Sequence, residues 1–295
     1  MQPQSYGPYP YLPIVNRKPF SWPGGKRLAV WVIPNIEYFH LSDPMPSVNN
    51  ERMSHPSIPN VRNWAVRDYG NRVGIWRFFE VMSRYGIRGT AALNSDICIY
   101  HPQIVERAVQ LGWEFIGHCQ TNAKRLNELP ADMERQAIRE TLDVIAKAAG
   151  TRPKGWLGAG LAETWNSLEY MLEEGIEYIA DWACDDLPFR MNVAGKTMFS
   201  VPYSLHVNDT TQFFNQKATA DEFNSVIKAQ FACLHRESAQ IPRVMAIAIH
   251  PFVSGVPHWI DALDNALEHV ARHDDVWFAT GQEIVSHFAS QVADE

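Results

Sequence analysis

Two long apolar runs stand out from the mixed polar and apolar pattern of the chain. Residues 28–33 (LAVWVI) and 244–249 (VMAIAI) contain no polar side chain. Continuous apolar runs of this length are typical of strands buried on both faces of a parallel sheet. Shorter segments with strand character are residues 89–94, 113–117, 155–158, 178–182 and 276–279. The pattern predicts about seven parallel strands, with a further strand pair around Gly195.

Segments with helical periodicity alternate with these strands. They are residues 73–85, 102–111, 130–149, 167–174, 220–236, 259–271 and 281–290. This alternation has no separating linker, so we predict one α/β domain of the βα barrel type over residues 1–295. Residues 1–26, rich in Pro and Tyr, predict an ordered but irregular N-terminal arm. Residues 41–69 contain several prolines and little periodicity, which predicts a lid or subunit-contact loop.

Composition and charge exclude several classes of partner. The chain has 295 residues, 46% of them hydrophobic, and a formal net charge of −7. An acidic chain lacks the positive footprint that nucleic acid or an anionic membrane requires. No apolar run approaches the roughly 20 residues of a membrane span. Four scattered cysteines indicate neither a disulfide framework nor a thiolate zinc site, and they favour a reduced cytoplasm.

Polar side chains directly follow three of the predicted strands. Glu37 follows the first apolar run, His118 follows residues 113–117, and His250 follows the second apolar run. The carboxyl ends of parallel strands meet at one rim, where catalytic groups are enriched. A carboxylate and an imidazole there are suited to acid–base hydrolysis of an amide-type bond. For each histidine taken alone, structural hydrogen bonding is the alternative.

Seven short segments occur in the same order and with similar spacing as in a known family. They are Asn35-Ile36-Glu37, Arg67-Asp68-Tyr69-Gly70-Asn71-Arg72-Val73-Gly74, Gly117-His118, Arg152-Pro153-Lys154-Gly155-Trp156, Asp185-Asp186-Leu187-Pro188, His250-Pro251 with Gly255, and Trp277-Phe278-Ala279-Thr280-Gly281. From residue 13 to residue 288 the chain resembles the polysaccharide deacetylase superfamily, and within it the branch of allantoinase-like and cyclic-imide-hydrolase-like enzymes. The resemblance implies a distorted (β/α) barrel and hydrolysis of a C–N bond other than a peptide bond.

The chain departs from the metal-dependent members of that superfamily. Those members carry an Asp-Asp pair after the first strand, and a His-x-x-x-His pair that binds the same ion. The corresponding positions here hold Glu37 and Tyr38, and His118 and Asn122. Because Tyr and Asn are poor zinc ligands, we predict no metal and no cofactor. A zinc site rebuilt with His40, Asp185 or Asp186 is the alternative.

The resemblance and the strand-end chemistry together give a mechanistic hypothesis. Glu37 deprotonates water with help from His118, and His250 protonates the departing nitrogen. Six residues are predicted to bind or orient the substrate: Asn35, Asn122, Trp156, Arg67, Asp185 and Asp186, with backbone amides of residues 155–158. For Arg67 the alternative is an ion pair that anchors the lid, and for the two aspartates it is a solvated or capping role.

The predicted substrate is a small molecule with a cyclic amide, imide or ureide. One alternative is a metal-dependent deacetylase of polysaccharide or peptidoglycan, and another is an inactive carbohydrate-binding barrel. The resemblance also implies a homo-oligomer, a dimer or a tetramer.

Overall fold

A curled, mostly parallel sheet forms the centre of the protein. The computed structural model describes residues 4–45 and 58–292. The strands in these ranges are β1 Leu28–Ile36, β2 Thr90–Leu93, β3 Glu114–Gly117, β4 Gly155–Trp156, β5 Tyr178–Ile179, β6 Phe189–Val193, β7 Lys196–Ser200, β8 Arg243–Ile249 and β9 Val276–Phe278. Their order is β6-β7-β5-β4-β3-β2-β1-β8, with β9 beside the start of β1. Every pairing except β6–β7 is parallel. This half-barrel confirms the predicted fold.

Helices cover the outer face of the sheet. They are α1 Val61–Tyr69, α2 Ile75–Arg84, α3 Asp96–Tyr100, α4 Pro102–Gln110, α5 Ala131–Ala149, α6 Ser167–Glu173, α7 Ala220–Glu237, α8 Pro257–Ala271 and α9 Gly281–Gln291. Capping boxes begin α7 at Thr219 and α9 at Thr280, and each satisfies backbone amides of the first turn. None of the described helices is both long enough and apolar enough to cross a membrane.

Strand β1 lies near the middle of the sheet and all nine of its residues are buried. Its alternate side chains serve two cores, because successive strand residues point to opposite faces. Leu28, Val30 and Val32 pack against the helical layer, whereas Trp31 and Ile33 fill the inside of the curl. This double burial explains why the run contains no polar residue before Asn35.

The register of the sheet brings the predicted strand ends to one rim. Pro34 of β1 lies opposite Ile249 of β8, and Ile36 lies opposite Leu93 of β2. The next pairing places Leu93 opposite Gly117 of β3. The residues that follow these strand ends therefore leave the sheet at the same edge.

Two loop predictions are settled by the structure. The predicted strand pair around Gly195 is the antiparallel hairpin β6–β7, whose turn places Ala194 and Gly195 at positive φ. The predicted structureless lid, residues 41–69, is wrong over residues 61–69, which form helix α1. Its weak hydrophobic pattern has a physical cause, since the buried side of α1 carries the polar residues Asn63 and Arg67. Residues 46–57 of that prediction lie outside the described residues.

The N-terminal arm runs along the open seam of the half-barrel. Residues 4–26 are irregular apart from short turns at Ile14–Asn16 and Pro23–Gly25, as predicted. The indole nitrogen of buried Trp22 donates to the carbonyl of Arg243 at 3.0 Å. A cavity of about 640 Å³ lies between the arm and the sheet. The arm therefore closes the seam without filling it.

Candidate active site

Glu37 is the first residue beyond β1 and continues the inward-facing series of that strand. Its side chain is only 10% exposed, and its Oε1 atom lies 3.5 Å from Nε2 of His250 and 4.0 Å from Nε2 of His118. The three predicted catalytic side chains therefore meet, as the register of the sheet requires. Tyr38 points the other way, because adjacent residues of an extended segment face opposite sides. Its ring stacks on Tyr100 with centroids 4.8 Å apart.

His118 is held in one orientation by the backbone. Its Nδ1 atom lies 2.6 Å from the carbonyl oxygen of Leu157, and that oxygen can only accept a hydrogen bond. Nδ1 therefore carries the proton, and Nε2 faces Glu37 as an acceptor whenever the ring is neutral. Burial lowers the pKa of His118, although the Glu37 carboxylate and the Leu157 carbonyl oppose this effect. His118 is thus neutral near pH 7.

His250 is held by a buried carboxylate. Its Nδ1 lies 2.6 Å from Oδ1 of Asp209, and its backbone N–H donates to Oδ2 of the same residue at 2.7 Å. Ser254 Oγ donates to Oδ2 at 2.6 Å, and Asp209 is fully buried. Burial alone lowers the pKa of His250, but Asp209 and Glu37 outweigh it and raise the pKa to about 10. The ring is therefore an imidazolium near neutral pH.

Glu37 has the opposite protonation preference. Burial raises the pKa of its carboxyl group, but His250, His118 and Arg67 together hold that pKa below its ordinary value. The Arg67 guanidinium is 7% exposed and lies over the rings of Phe39 and Phe252, and burial lowers its own pKa. At neutral pH the site therefore presents a carboxylate base beside a protonated imidazole.

The structure places the two predicted asparagines differently. Asn122 is half-buried beside His118, and its buried side-chain oxygen has no hydrogen-bond partner within the described ranges of the chain. Asn35 is 1% exposed and lies below the site inside the curl. Its Nδ2 donates to the carbonyls of Ile33 and Ile249, and its Oδ1 accepts from Tyr203. The amide of Asn35 is thus occupied by the barrel itself.

The prediction that Trp156 forms an apolar wall for the substrate is wrong. Trp156 is completely buried and packs in the core under α5 and α6, on the helical side of the sheet. The glycine opposite on β3 makes room for it, since a Cβ on Gly117 would lie 2.4 Å from the indole ring. Strand alternation turns its side chain away from the rim residues.

Two of the backbone amides of residues 155–158, which are predicted to orient the substrate, are also engaged elsewhere. The amide of Leu157 donates to the carbonyl of Gly117 at 2.9 Å. The amide of Gly158 donates to Oδ1 of Asp181 at 2.7 Å. These two N–H groups are therefore part of the scaffold.

Asp185 and Asp186 lie at the arm and the seam, apart from the Glu37 cluster. Asp185 Oδ2 accepts from the Arg17 guanidinium at 2.5 Å, and Oδ1 accepts from the Leu187 amide at 3.0 Å. Asp186 faces Arg243, and burial raises the pKa of its carboxyl group. Both aspartates line the 640 Å³ cavity beside the arm. These contacts support the alternative of a capping role for Asp185 and a solvated role for Asp186, and Asp185 also pairs with Arg17 of the arm.

The residues at the superfamily's metal position do not fit a divalent ion. The three metal-ligand positions hold Tyr38, His118 and Asn122. Only His118 is a strong metal ligand, because Tyr38 is turned outward and Asn122 offers only an amide. His40 pairs with Asp96 at 2.8 Å, so it does not rebuild the site. Within residues 4–45 and 58–292 no three His, Cys, Asp or Glu side chains are grouped to hold a metal.

Sequence reasoning missed Asp209 and Tyr203. Asp209 lies 41 residues before His250, in a segment without helical or strand periodicity. It reaches the site because Asn208 pairs with Ala248 of β8 as an isolated bridge. No local pattern marks that pairing, and a buried carboxylate in a loop resembles a capping residue in sequence.

The fold and the rim define a class of protein, an α/β half-barrel with a buried carboxylate and two histidines at one rim. Residues 64–179 match the polysaccharide deacetylase family model. A polysaccharide deacetylase homologue from Schizosaccharomyces pombe is 22% identical over 303 residues, which cover 92% of each chain. These matches confirm the resemblance to the polysaccharide deacetylase superfamily.

Two solved structures share the fold over nearly the whole chain. A polysaccharide deacetylase homologue from Pseudomonas aeruginosa PAO1 superposes with a TM-score of 0.86 at 23% identity, covering 96% of this chain and 98% of that one. PuuE allantoinase superposes with a TM-score of 0.86 at 24% identity, covering 96% of this chain and 97% of that one. The half-barrel architecture is therefore common to all three chains.

Proposed function

We propose that the protein opens a small cyclic amide, imide or ureide by metal-free acid–base hydrolysis. The observation that carries this proposal is the 3.5 Å approach of Glu37 Oε1 to His250 Nε2, with Asp209 behind the imidazole. This arrangement pairs a carboxylate with a proton donor in the states that neutral-pH hydrolysis requires.

The reaction follows from these protonation states. Glu37 takes a proton from water, and the resulting hydroxide attacks the ring carbonyl carbon. The tetrahedral intermediate then expels the ring nitrogen, which receives the proton of His250 Nε2 as the C–N bond breaks. The products are a carboxylic acid and the freed nitrogen, which belongs to an amine, an amide or a urea for a cyclic amide, imide or ureide respectively. His118 accepts a hydrogen bond from the attacking water through Nε2, 4.0 Å from the carboxylate oxygen.

Positive charge near Glu37 supports the developing oxyanion. The His250 imidazolium and the buried Arg67 guanidinium both act on the Glu37 carboxylate, so both raise the positive potential at the reacting carbonyl. The Asn122 amide is the polar group best placed to orient the ring, because it adjoins His118 at the rim. Trp156, Asp185 and Asp186 are not part of this mechanism.

The side chains of the site favour a substrate whose carbonyl is already activated. Without a Lewis acid, hydroxide must attack a carbonyl that is already electrophilic, and imide and ureide carbonyls meet this requirement better than the acetamide of an amino sugar. The structural likeness to PuuE allantoinase supports the same direction. The metal-dependent deacetylase is the second candidate, since the family match names that activity. Asp209 keeps His250 protonated beside the Glu37 carboxylate, and this acid–base arrangement argues against an inactive barrel.

The remaining predictions from the sequence concern the partner, the cellular location and the assembly state. The partner is a small-molecule substrate, and neither nucleic acid nor a membrane is involved. Cytoplasmic location and assembly as a dimer or tetramer stay predictions.

A substrate panel tests the function. Hydantoin, allantoin, succinimide, dihydrouracil and N-acetylglucosamine oligomers are each incubated with the protein before and after exhaustive chelation. We expect turnover of a ring substrate that survives chelation. Activity on the acetylated sugars that disappears with chelation and returns with zinc would instead establish the deacetylase.

A further inference from the structure

We propose that Tyr203 is a positioning residue that fixes the separation of the catalytic base and the catalytic acid. The inference rests on the proposed function, in which Glu37 and His250 act on the same substrate. Tyr203 touches neither of them. It acts through two asparagines that belong to the two elements carrying the acid–base pair.

The phenol bridges these asparagines inside the curl. Tyr203 OH donates to Oδ1 of Asn35 at 3.2 Å and accepts from Nδ2 of Asn208 at 3.2 Å. Asn35 lies two residues before Glu37, and Asn208 directly precedes Asp209, the residue that holds His250. One hydroxyl therefore links the end of β1 to the loop that orients the acid.

The same chain of contacts reaches the end of β8. Asn35 Nδ2 donates to the carbonyl of Ile249, the residue before His250, at 3.4 Å. Asn208 also pairs with Ala248 of β8. The base and the acid are thus tied to a common point by hydrogen bonds from both sides. All three linking side chains are at least nine-tenths buried, so water does not readily replace these bonds.

The electrostatics agree with this placement. Burial raises the pKa of the Tyr203 phenol, and the charges of Asp209 and Glu37 raise it further. The phenol is therefore protonated throughout the working pH range. The phenol is also close enough to Asp209 and Glu37, the two carboxylates beside His250, for their charges to affect its pKa.

This loop is packed only in part, since Val201 and Tyr203 are buried but residues 204–206 are not. Residues 201–206 have no helix or strand, and Leu205 is 46% exposed. The ring of Tyr203 borders the 640 Å³ cavity under the arm, so it lacks close neighbours on that side. Where packing is incomplete, a directional hydrogen bond has more influence on geometry, and misplacement by about 1 Å can cost up to 10²-fold in rate.

The test compares two Tyr→Phe variants. Tyr203→Phe removes only the bridging oxygen. Tyr178→Phe is the matched control, because Tyr178 is fully buried and its hydroxyl donates to Glu114 at 2.7 Å, at the opposite end of the sheet. Tyr203→Phe loses two buried hydrogen bonds and Tyr178→Phe loses one. A merely structural role therefore predicts some loss of stability in both variants and no selective change at His250.

Two readouts separate the outcomes. The first is the His250 pKa, followed by NMR titration of the imidazole, which needs no substrate. We expect Tyr203→Phe to lower it by roughly one pH unit, because Asp209 is held less closely, and Tyr178→Phe to leave it unchanged. The second is turnover of the best ring substrate, where we expect kcat to fall about tenfold with KM within about twofold for Tyr203→Phe alone.

An unchanged His250 pKa in Tyr203→Phe, or equal changes in the two variants, would overturn the positioning role. A lowered pKa in a protein that turns over no ring substrate would instead retain the positioning role and reject the proposed function. The two failures are therefore distinguishable.

Discussion

Replacing Asp209 by Asn isolates the residue that makes His250 an acid. The carboxylate is fully buried and binds His250 through both Nδ1 and the backbone amide. The rise of the His250 pKa from 6.5 to about 10 corresponds to roughly 5 kcal/mol, at 1.36 kcal/mol for each pH unit. Asp209 supplies the larger favourable share and Glu37 the rest. The neutral amide removes that share while the burial penalty remains.

The expected result is a shift of the basic limb of the pH–rate profile. Wild type loses activity as pH rises through about 10, the pKa of His250. Asp209→Asn should lose activity near neutral pH, and its kcat at pH 8 should fall by about 10² to 10⁴. The assay is the initial rate of ring opening between pH 5 and pH 11. Ser254→Ala is the control, because it removes one hydrogen bond to Asp209 and keeps the carboxylate.

The same pKa makes a prediction about stability. A group whose pKa is raised in the folded state stabilises fully below its unfolded pKa and loses that contribution as pH rises through the folded value. Wild type should therefore lose unfolding free energy between about pH 6.5 and about pH 10, and Asp209→Asn should not. A basic limb that stays in place in Asp209→Asn, with stability equally dependent on pH, would refute the reasoning.

Three further substitutions test other parts of the structure. Arg67→Gln removes a positive charge that lowers the pKa of Glu37, so the acidic limb of the pH–rate profile should move to higher pH; an acidic limb at lower pH would contradict this. Trp156→Ala should lower the unfolding free energy by about 3–5 kcal/mol in urea titration, since the side chain is wholly buried. Asp185→Asn should lower the thermal midpoint by loosening Arg17 and the arm, and leave kcat/KM within about threefold of wild type.

Much of the fold was predictable because its signals are local. The unbroken apolar runs of β1 and β8 require burial on two faces, and that requirement points to a parallel sheet. The same logic located Glu37, His118 and His250, since each directly follows a buried strand. Helix α1 escaped prediction because its buried side carries Arg67 and Asn63, whose polarity masks the usual periodicity.

The rest of the site depends on contacts between distant parts of the chain. Asp209 is defined only by the bridge between Asn208 and Ala248. Trp156 was assigned to the wrong face because β4 pairs through only two residues, too few for the alternation to be visible in the sequence. Side-chain direction in so short a strand depends on its register with neighbouring strands, which the sequence does not state.

The most direct test of the account is the kcat/KM of wild type and Glu37→Gln on the best ring substrate, both measured after exhaustive chelation. The amide is nearly isosteric with the carboxylate, so equal thermal midpoints would show that the fold is intact. The account predicts that wild type is active and that Glu37→Gln loses 10²-fold or more, as the removal of a general base does. Activity of Glu37→Gln within about tenfold of wild type would contradict the assignment of Glu37 as the base.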